Sequence, residues 1–210
     1  MTTYANWLEL DRSPHAIQFY SNDNFVLDSL GRFVRTALEA GDSCLVLATV
    51  VHLDGLAKRL KAQGVNTDTA VKKGRYVTID VLQVLARITV NGNLDKILFN
   101  QFINDVAMPL KAAAESKPPR VAVGGEAVSV LWTEGKPEAA IELERLWNGV
   151  ATDDSFFLRC FYPVLSFSDP VINELFLKLC AEHATVIPNE RQLRNLGKSV
   201  EEFELSIGLK

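Results

Sequence analysis

The sequence predicts a three-layer α/β domain, a mainly parallel sheet with helices on both faces, followed by a C-terminal helix. Short runs of β-branched and aromatic residues alternate with longer amphipathic segments, the pattern of successive βαβ crossovers. Several short runs are apolar without interruption, as in Cys44–Ala48 (CLVLA), which suits strands covered on both faces. Length and composition agree with one domain: 210 residues, 48% hydrophobic and 23% charged, can bury a sizeable core. The same figures exclude disorder, collagen and a disulfide scaffold.

Taken in order, His15–Tyr20 (HAIQFY) reads as the first strand, with Asn22 or Asp23 placed to cap the next segment. Val26, Leu30, Phe33, Val34 and Ala37 recur at helical spacing and predict a helix to about Ala40, stopped by Gly41-Asp42. The strand Cys44–Ala48 comes next, then a helix over 53–63 ended by Gly64, and a third strand at Tyr76–Asp80. Helical stretches over Val81–Ile88 and Leu94–Ala114 flank the turn Asn91-Gly92-Asn93, and Lys117-Pro118-Pro119 breaks the chain before a fourth strand at Arg120–Val123. Gly124-Gly125-Glu126 opens a short helix to Leu131, and Pro137–Trp147 forms another with Pro in its first turn. Phe156–Tyr162 is the fifth strand. A helix from about Asp169 to Glu182 and an extended piece, Ala184–Ile187, complete the domain. The organisation is an N-terminal extension (1–12), a domain over 13–189, and a C-terminal helix over 190–210.

Charge and cysteine content narrow the class. A net charge of −4 argues against a general nucleic-acid binder; residues 51–120 carry 11 Lys/Arg against 6 Asp/Glu, and 121–210 carry 8 against 14. Three cysteines, an odd and small number, fit a reducing cytoplasm, with Cys44 and Cys160 inside apolar runs as small hydrophobes. The start MTTYANWLELDRSPH lacks a basic region followed by an apolar stretch, so no signal peptide is read there, and no apolar run reaches the roughly 18 residues of a membrane helix.

In an open parallel sheet ligands bind beyond the carboxyl ends of the strands. Those ends deliver Tyr20-Ser21-Asn22-Asp23, Thr49 with His52 soon after, Asp80, Gly124-Gly125-Glu126 and Cys160-Phe161-Tyr162. Such a set gives aromatic walls and one or two carboxylates, suited to a small or partly apolar molecule. Asp23 and Asp80 fit equally as helix-starting residues, whereas Glu126 follows two glycines at a strand end. A phosphate loop is not present after the first strand: YSNDNF has neither glycine nor lysine, and the Gly197–Ser199 match has no strand before it. Cys180 and His183 are spaced like metal ligands, but no second pair has suitable spacing; the simpler reading is that Cys180 packs and His183 caps its helix. No catalytic set emerges, and no cofactor or metal is expected. After Pro188, Leu193, Leu196, Val200, Phe203 and Ile207 form an apolar seam of about two heptads, fit to dock on its own domain or to dimerise.

Read together, HAIQFYSNDN, GDSCLVLAT with His52, GRYVTIDVLQVL with NGN, GGEAVSVLW, AAIELERLWN, FFLRCFYP and CAEHATVIPNE resemble, in order, the MEDS sensory domain of the dichloromethane-responsive repressor and of methanogen and methylotroph sensory proteins. The resemblance covers about residues 13–190. It implies a RecA/KaiC-like fold with a degenerate phosphate loop and a non-catalytic role in signal transduction, sensing small molecules such as hydrocarbon derivatives for modules that regulate transcription. Matched residue by residue, it points to His15, Tyr20, Asp23, Glu126 and His183 as ligand-binding positions. Where the family motif begins Phe-Gly-Glu this chain has Gly124-Gly125-Glu126, so an aromatic wall is expected to be missing. With only about 20 residues after the match, the expected output is contact with a second copy, as a homodimer, or with a regulatory protein, and not with nucleic acid or membrane. The competing readings are a nucleotide-binding RecA-like domain with little or no ATPase activity, and a protein–protein adaptor.

Overall fold

A computed structural model describes residues 13–163 and 172–187. The predicted N-terminal extension, the start of the helix near Asp169 and the predicted C-terminal helix over 190–210 lie outside the described residues. The element order is β1 (His15–Tyr20), α1 (Asp23–Glu39), β2 (Ser43–Ala48), α2 (Val50–Ala62), α3 (Thr67–Lys72), β3 (Tyr76–Asp80), α4 (Val81–Arg87), β4 (Thr89–Val90), β5 (Asn93–Leu94) and α5 (Lys96–Phe102). A π-helical turn, Ile103–Ala107, leads into α6 (Met108–Ala113), then β6 (Val121–Gly125), α7 (Ala127–Thr133), α8 (Pro137–Ala151), β7 (Phe156–Pro163), α9 (Ile172–Ala181) and β8 (Thr185–Ile187).

The main sheet runs β3-β2-β6-β7-β1-β8 and every neighbouring pair is parallel. β1, β2, β6 and β7 are near-continuous apolar runs because both faces are covered. On one face α1 and α2 lay Val26, Leu30, Phe33, Leu56 and Leu60 against Val46, Ala122 and Phe161. On the other, α4 to α9 bring Val84, Phe99, Phe102, Leu131, Trp147 and Leu179 onto Ile17, Leu45, Val123 and Leu158. Phe99 stands edge-on to Trp147 at 5.1 Å between ring centres, tying α5 to α8. Each fully buried side chain of this size contributes about 1.5–3 kcal/mol, so two such layers are the main support of the fold. The expected three-layer α/β architecture is present.

Differences from the expected elements have local causes. Helix α3 has a single buried position, Ala70, so no apolar period announces it. The run expected as one helix over 94–114 is interrupted because Pro109 has no N–H to donate, and the turn before it widens to π geometry. Asn91 and Gly92, both at positive φ, turn a two-residue-strand hairpin, β4 with β5. Gly124 and Gly125 belong to β6 and do not open a helix. The extended piece expected at 184–187 becomes β8, a sixth strand paired to β1.

Candidate functional site

The connections leaving β2 and β6 run to opposite faces of the sheet, α2 to one and α7 to the other. Between adjacent strands this opens a crevice at the carboxyl ends. Glu126, directly after β6, sits there and is buried. Its carboxylate accepts from the Tyr20 hydroxyl (Oε1, 3.2 Å) and from the Thr49 backbone N–H (Oε2, 3.2 Å), and His52 Nδ1 lies 2.7 Å from Oε1. The other ring nitrogen of His52, Nε2, is 3.5 Å from Asp23 Oδ1. Asp23 is 75% exposed and forms the open side of the network.

Backbone geometry explains why these groups meet. The Glu126 N–H donates to the Leu47 carbonyl at 2.8 Å, and a Cβ on Gly125 would lie 2.6 Å from that same oxygen. Only glycine permits this approach of β6 to β2. At Gly124 an added Cβ would meet Phe33 at 2.9 Å, so the ring of this buried α1 residue packs directly on the bare strand.

The surroundings bias the titration of His52 and Tyr20. The hydrogen bond to Glu126, more than any other cause, raises the pKa of His52 above its ordinary 6.5 against the opposing effect of burial, with the Glu126 and Asp23 charges adding to it. Burial, and then the Glu126 charge, push the Tyr20 phenol far up, so it stays a donor. The result is an imidazole held between two carboxyl groups, Glu126 buried and Asp23 at the rim, and biased toward its charged form.

The helix N-termini beside the crevice are occupied by the chain's own oxygens. Asn22 Oδ1 accepts from Phe25 N–H at 3.0 Å, and Thr49 Oγ1 from His52 N–H at 3.4 Å. The cap of α1 is thus Asn22, leaving Asp23 free to face His52, while Asp80 caps α4 through the Leu82 N–H.

Of the five positions singled out by resemblance, Tyr20, Asp23 and Glu126 come together and are joined by His52. His15 and His183 do not reach this crevice. They form a second cluster at the beginning of β1, between β1, β7, α8 and α9, with ring centres 4.3 Å apart. Glu144 of α8 is at its centre, wholly buried: Oε2 lies 3.1 Å from His15 Nε2 and 3.3 Å from Cys160 Sγ, and Oε1 lies 3.2 Å from His183 Nε2 and accepts from Tyr162 at 2.9 Å. Burial would raise the Glu144 pKa, but the His183 charge, the His15 hydrogen bond and the His15 charge hold it well below the usual carboxylate range. Burial would likewise lower that of His15, yet Glu144 and Asn148 carry it above 6.5. The Cys160 thiol is pushed far up by burial and then by the Glu144 charge. Cys160, expected from its apolar run to be a small hydrophobe, instead has His15 Nε2 and Glu144 Oε2 on its sulfur. It also borders a cavity of about 20 Å³ shared with Gly125 and Trp147, room for roughly one water. His183 Nδ1 donates to the Leu179 carbonyl at 2.8 Å, which agrees with its expected place at a helix C-terminus.

Fold and site define a three-layer α/β domain whose polar groups gather at strand ends and helix starts, with the site residues drawn from β1, β6 and the helices that follow β1 and β2. The family model of the methanogen/methylotroph, DcmR sensory domain (MEDS) matches residues 14–177. The chain belongs to this family of sensory domains. No curated protein matches the sequence. Among the described residues no helix is long and apolar enough to cross a membrane.

Proposed function

We propose that this chain is a non-catalytic sensory domain that binds a small, partly apolar molecule at the crevice between β2 and β6 and passes the signal on through protein–protein contact in the cytoplasm. The observation that supports it is the network Tyr20–Glu126–His52–Asp23: a buried carboxyl group engaged by three donors, reaching the rim only through the His52 imidazole and the exposed Asp23. A ligand with a polar head can exchange places with Asp23 at His52 Nε2 and lay its apolar part along the crevice. The nucleotide-binding alternative draws less support, because two carboxylates and capped helix N-termini oppose a polyphosphate.

Native mass spectrometry of the purified chain tests this reading by revealing a carried-over small molecule. Glu126→Ala should lose that molecule while melting cooperatively. Asp23→Asn, which weakens the group that the ligand displaces at His52 Nε2, should retain it, and loss of the molecule from this exposed variant would overturn the exchange. Thermal stabilisation by ATP–Mg, with none of the carried-over compound, would favour the nucleotide reading instead. For the relay, Leu196→Glu with Phe203→Glu in the apolar seam should lower the apparent mass in solution and keep a cooperative melt. Unchanged mass with lost stability would make that seam a docked terminal segment.

A further inference from the structure

We propose that His15, Glu144, Cys160 and His183 form a binding site for one zinc-type transition-metal ion. Each offers one ligand atom, all four residues are buried, and the four atoms lie within 4.8 Å of one another. Tetrahedral coordination with bonds of about 2.0–2.3 Å puts ligand atoms roughly 3.3–3.8 Å apart. The separations His15 Nε2 to Cys160 Sγ (3.4 Å), Cys160 Sγ to Glu144 Oε2 (3.3 Å), His15 Nε2 to Glu144 Oε2 (3.1 Å) and His183 Nε2 to Glu144 Oε1 (3.2 Å) are already close to that spacing. The widest pair needs to close by only about 1 Å.

The surrounding hydrogen bonds prepare the imidazoles. Asn148 Nδ2 donates to the Glu182 carbonyl (2.8 Å) and to its carboxylate (3.1 Å), which fixes the amide with Oδ1 toward His15. His15 Nδ1 therefore donates to Asn148 Oδ1 at 2.7 Å, as His183 Nδ1 donates to the Leu179 carbonyl. Both rings turn Nε2 to the centre, the arrangement that outer partners give to metal-binding histidines. His183 Nε2 is fully buried and, although Glu144 Oε1 is 3.2 Å away, makes no properly directed hydrogen bond. A cation at the centre satisfies it. The soft sulfur with two imidazoles and one carboxylate selects a late first-row ion over magnesium or calcium. On binding, the Cys160 thiol proton and the proton that His15 Nε2 shares with Glu144 pass to solvent, and the thiolate and the neutral imidazole take their places on the metal.

Four elements supply the ligands, β1, β7, α8 and the turn after α9, so their sequence positions are far apart and no short ligand motif marks them. The test uses the full chain, freed of metal and titrated separately with zinc alone and cobalt alone. The expected result is one ion per chain, a thiolate-to-cobalt charge-transfer band with tetrahedral cobalt absorption, and a melting temperature that rises with zinc. Cys160→Ser should abolish the charge-transfer band and weaken binding at least tenfold, whereas Cys44→Ser should leave both unchanged. If Cys160→Ser does not fold, X-ray absorption of the cobalt-loaded unsubstituted chain decides: one sulfur with two imidazoles is expected, and any sulfur-free shell overturns the site. Absence of stoichiometric binding by the unsubstituted chain, or a cobalt spectrum indifferent to Cys160→Ser, leaves the cluster as a buried ion-pair network.

Discussion

Two clusters with nearly the same chemistry stand at opposite ends of β1. At its carboxyl end Tyr20 donates to Glu126, which pairs with His52; at its amino end Tyr162 donates to Glu144, which pairs with His15 and lies against His183. One opens to solvent through Asp23, whereas every carboxylate and imidazole of the other is within a few per cent of complete burial. Burial sets what each can do. The rim imidazole of His52 can trade partners with a ligand, because water compensates the exchange. The inner set cannot trade without leaving a charge unpaired in a low-dielectric interior.

The sharpest way to break this comparison is to remove each central carboxylate. Glu144→Gln removes the buried carboxylate on which His15 is paired and should cost about 3–5 kcal/mol, the range for breaking a buried pair by removing one partner. At roughly 2–4 °C per kcal/mol that lowers Tm by about 10 °C, measurable by calorimetry. Glu126→Gln should cost clearly less, since Asp23 still faces His52. Equal losses would abolish the distinction between rim and interior.

A smaller effect separates the two glycines that position the rim cluster. Gly125→Ala forces a methyl onto the Leu47 carbonyl oxygen, a backbone atom that cannot turn aside, and should cost about 1–3 kcal/mol in chemical denaturation. Gly124→Ala meets the edge of the Phe33 ring and should cost less. The reverse order would mean that Phe33 is held more rigidly than the β2–β6 ladder.

The smallest effect is pH-dependent. Because the folded pKa of His52 is raised above 6.5, its charged form favours folding. That contribution is complete below the unfolded value of 6.5 and is lost as pH rises through the folded one. His52→Gln should therefore differ from the parent by about 1–2 kcal/mol in mildly acidic solution and less in alkaline solution, read from denaturation midpoints. A constant difference across pH would show that folding leaves the His52 pKa at its unfolded value.

The sequence made the scaffold legible where an apolar period or a breaker was strong. Tyr76–Asp80 appears as expected, the stop after Ala40 falls within a residue, and Gly64 at positive φ ends the helix before it. The rim site was half legible: Tyr20, Asp23 and Glu126 share one crevice, and His52 could have joined them from its place in the first turn after a strand. The inner cluster was legible only as separate pieces. Glu144 sits in a run, ELERLWN, that reads as the solvated side of a helix, and Cys160 sits in an apolar strand. What turns both inward is the pairing of β1 with β7 and β8, contacts between residues more than a hundred positions apart, which no local period encodes.

The position of β8 has a mechanical consequence. It is the last described strand and an edge strand, joined to the sheet by three register pairs only, Ala16 with Thr185, Ile17 with Val186 and Gln18 with Ile187. The opposite edge, β3, is locked in mid-chain between α3 and α4. Peeling β8 away therefore breaks no other ladder and leaves β1 to β7 continuous, so its detachment has the lowest threshold of any strand in the sheet. The chain reaches β8 directly from His183, with Ala184 N–H anchored on the His15 carbonyl at 2.8 Å. A displacement of either histidine is thereby transmitted as traction on β8 itself.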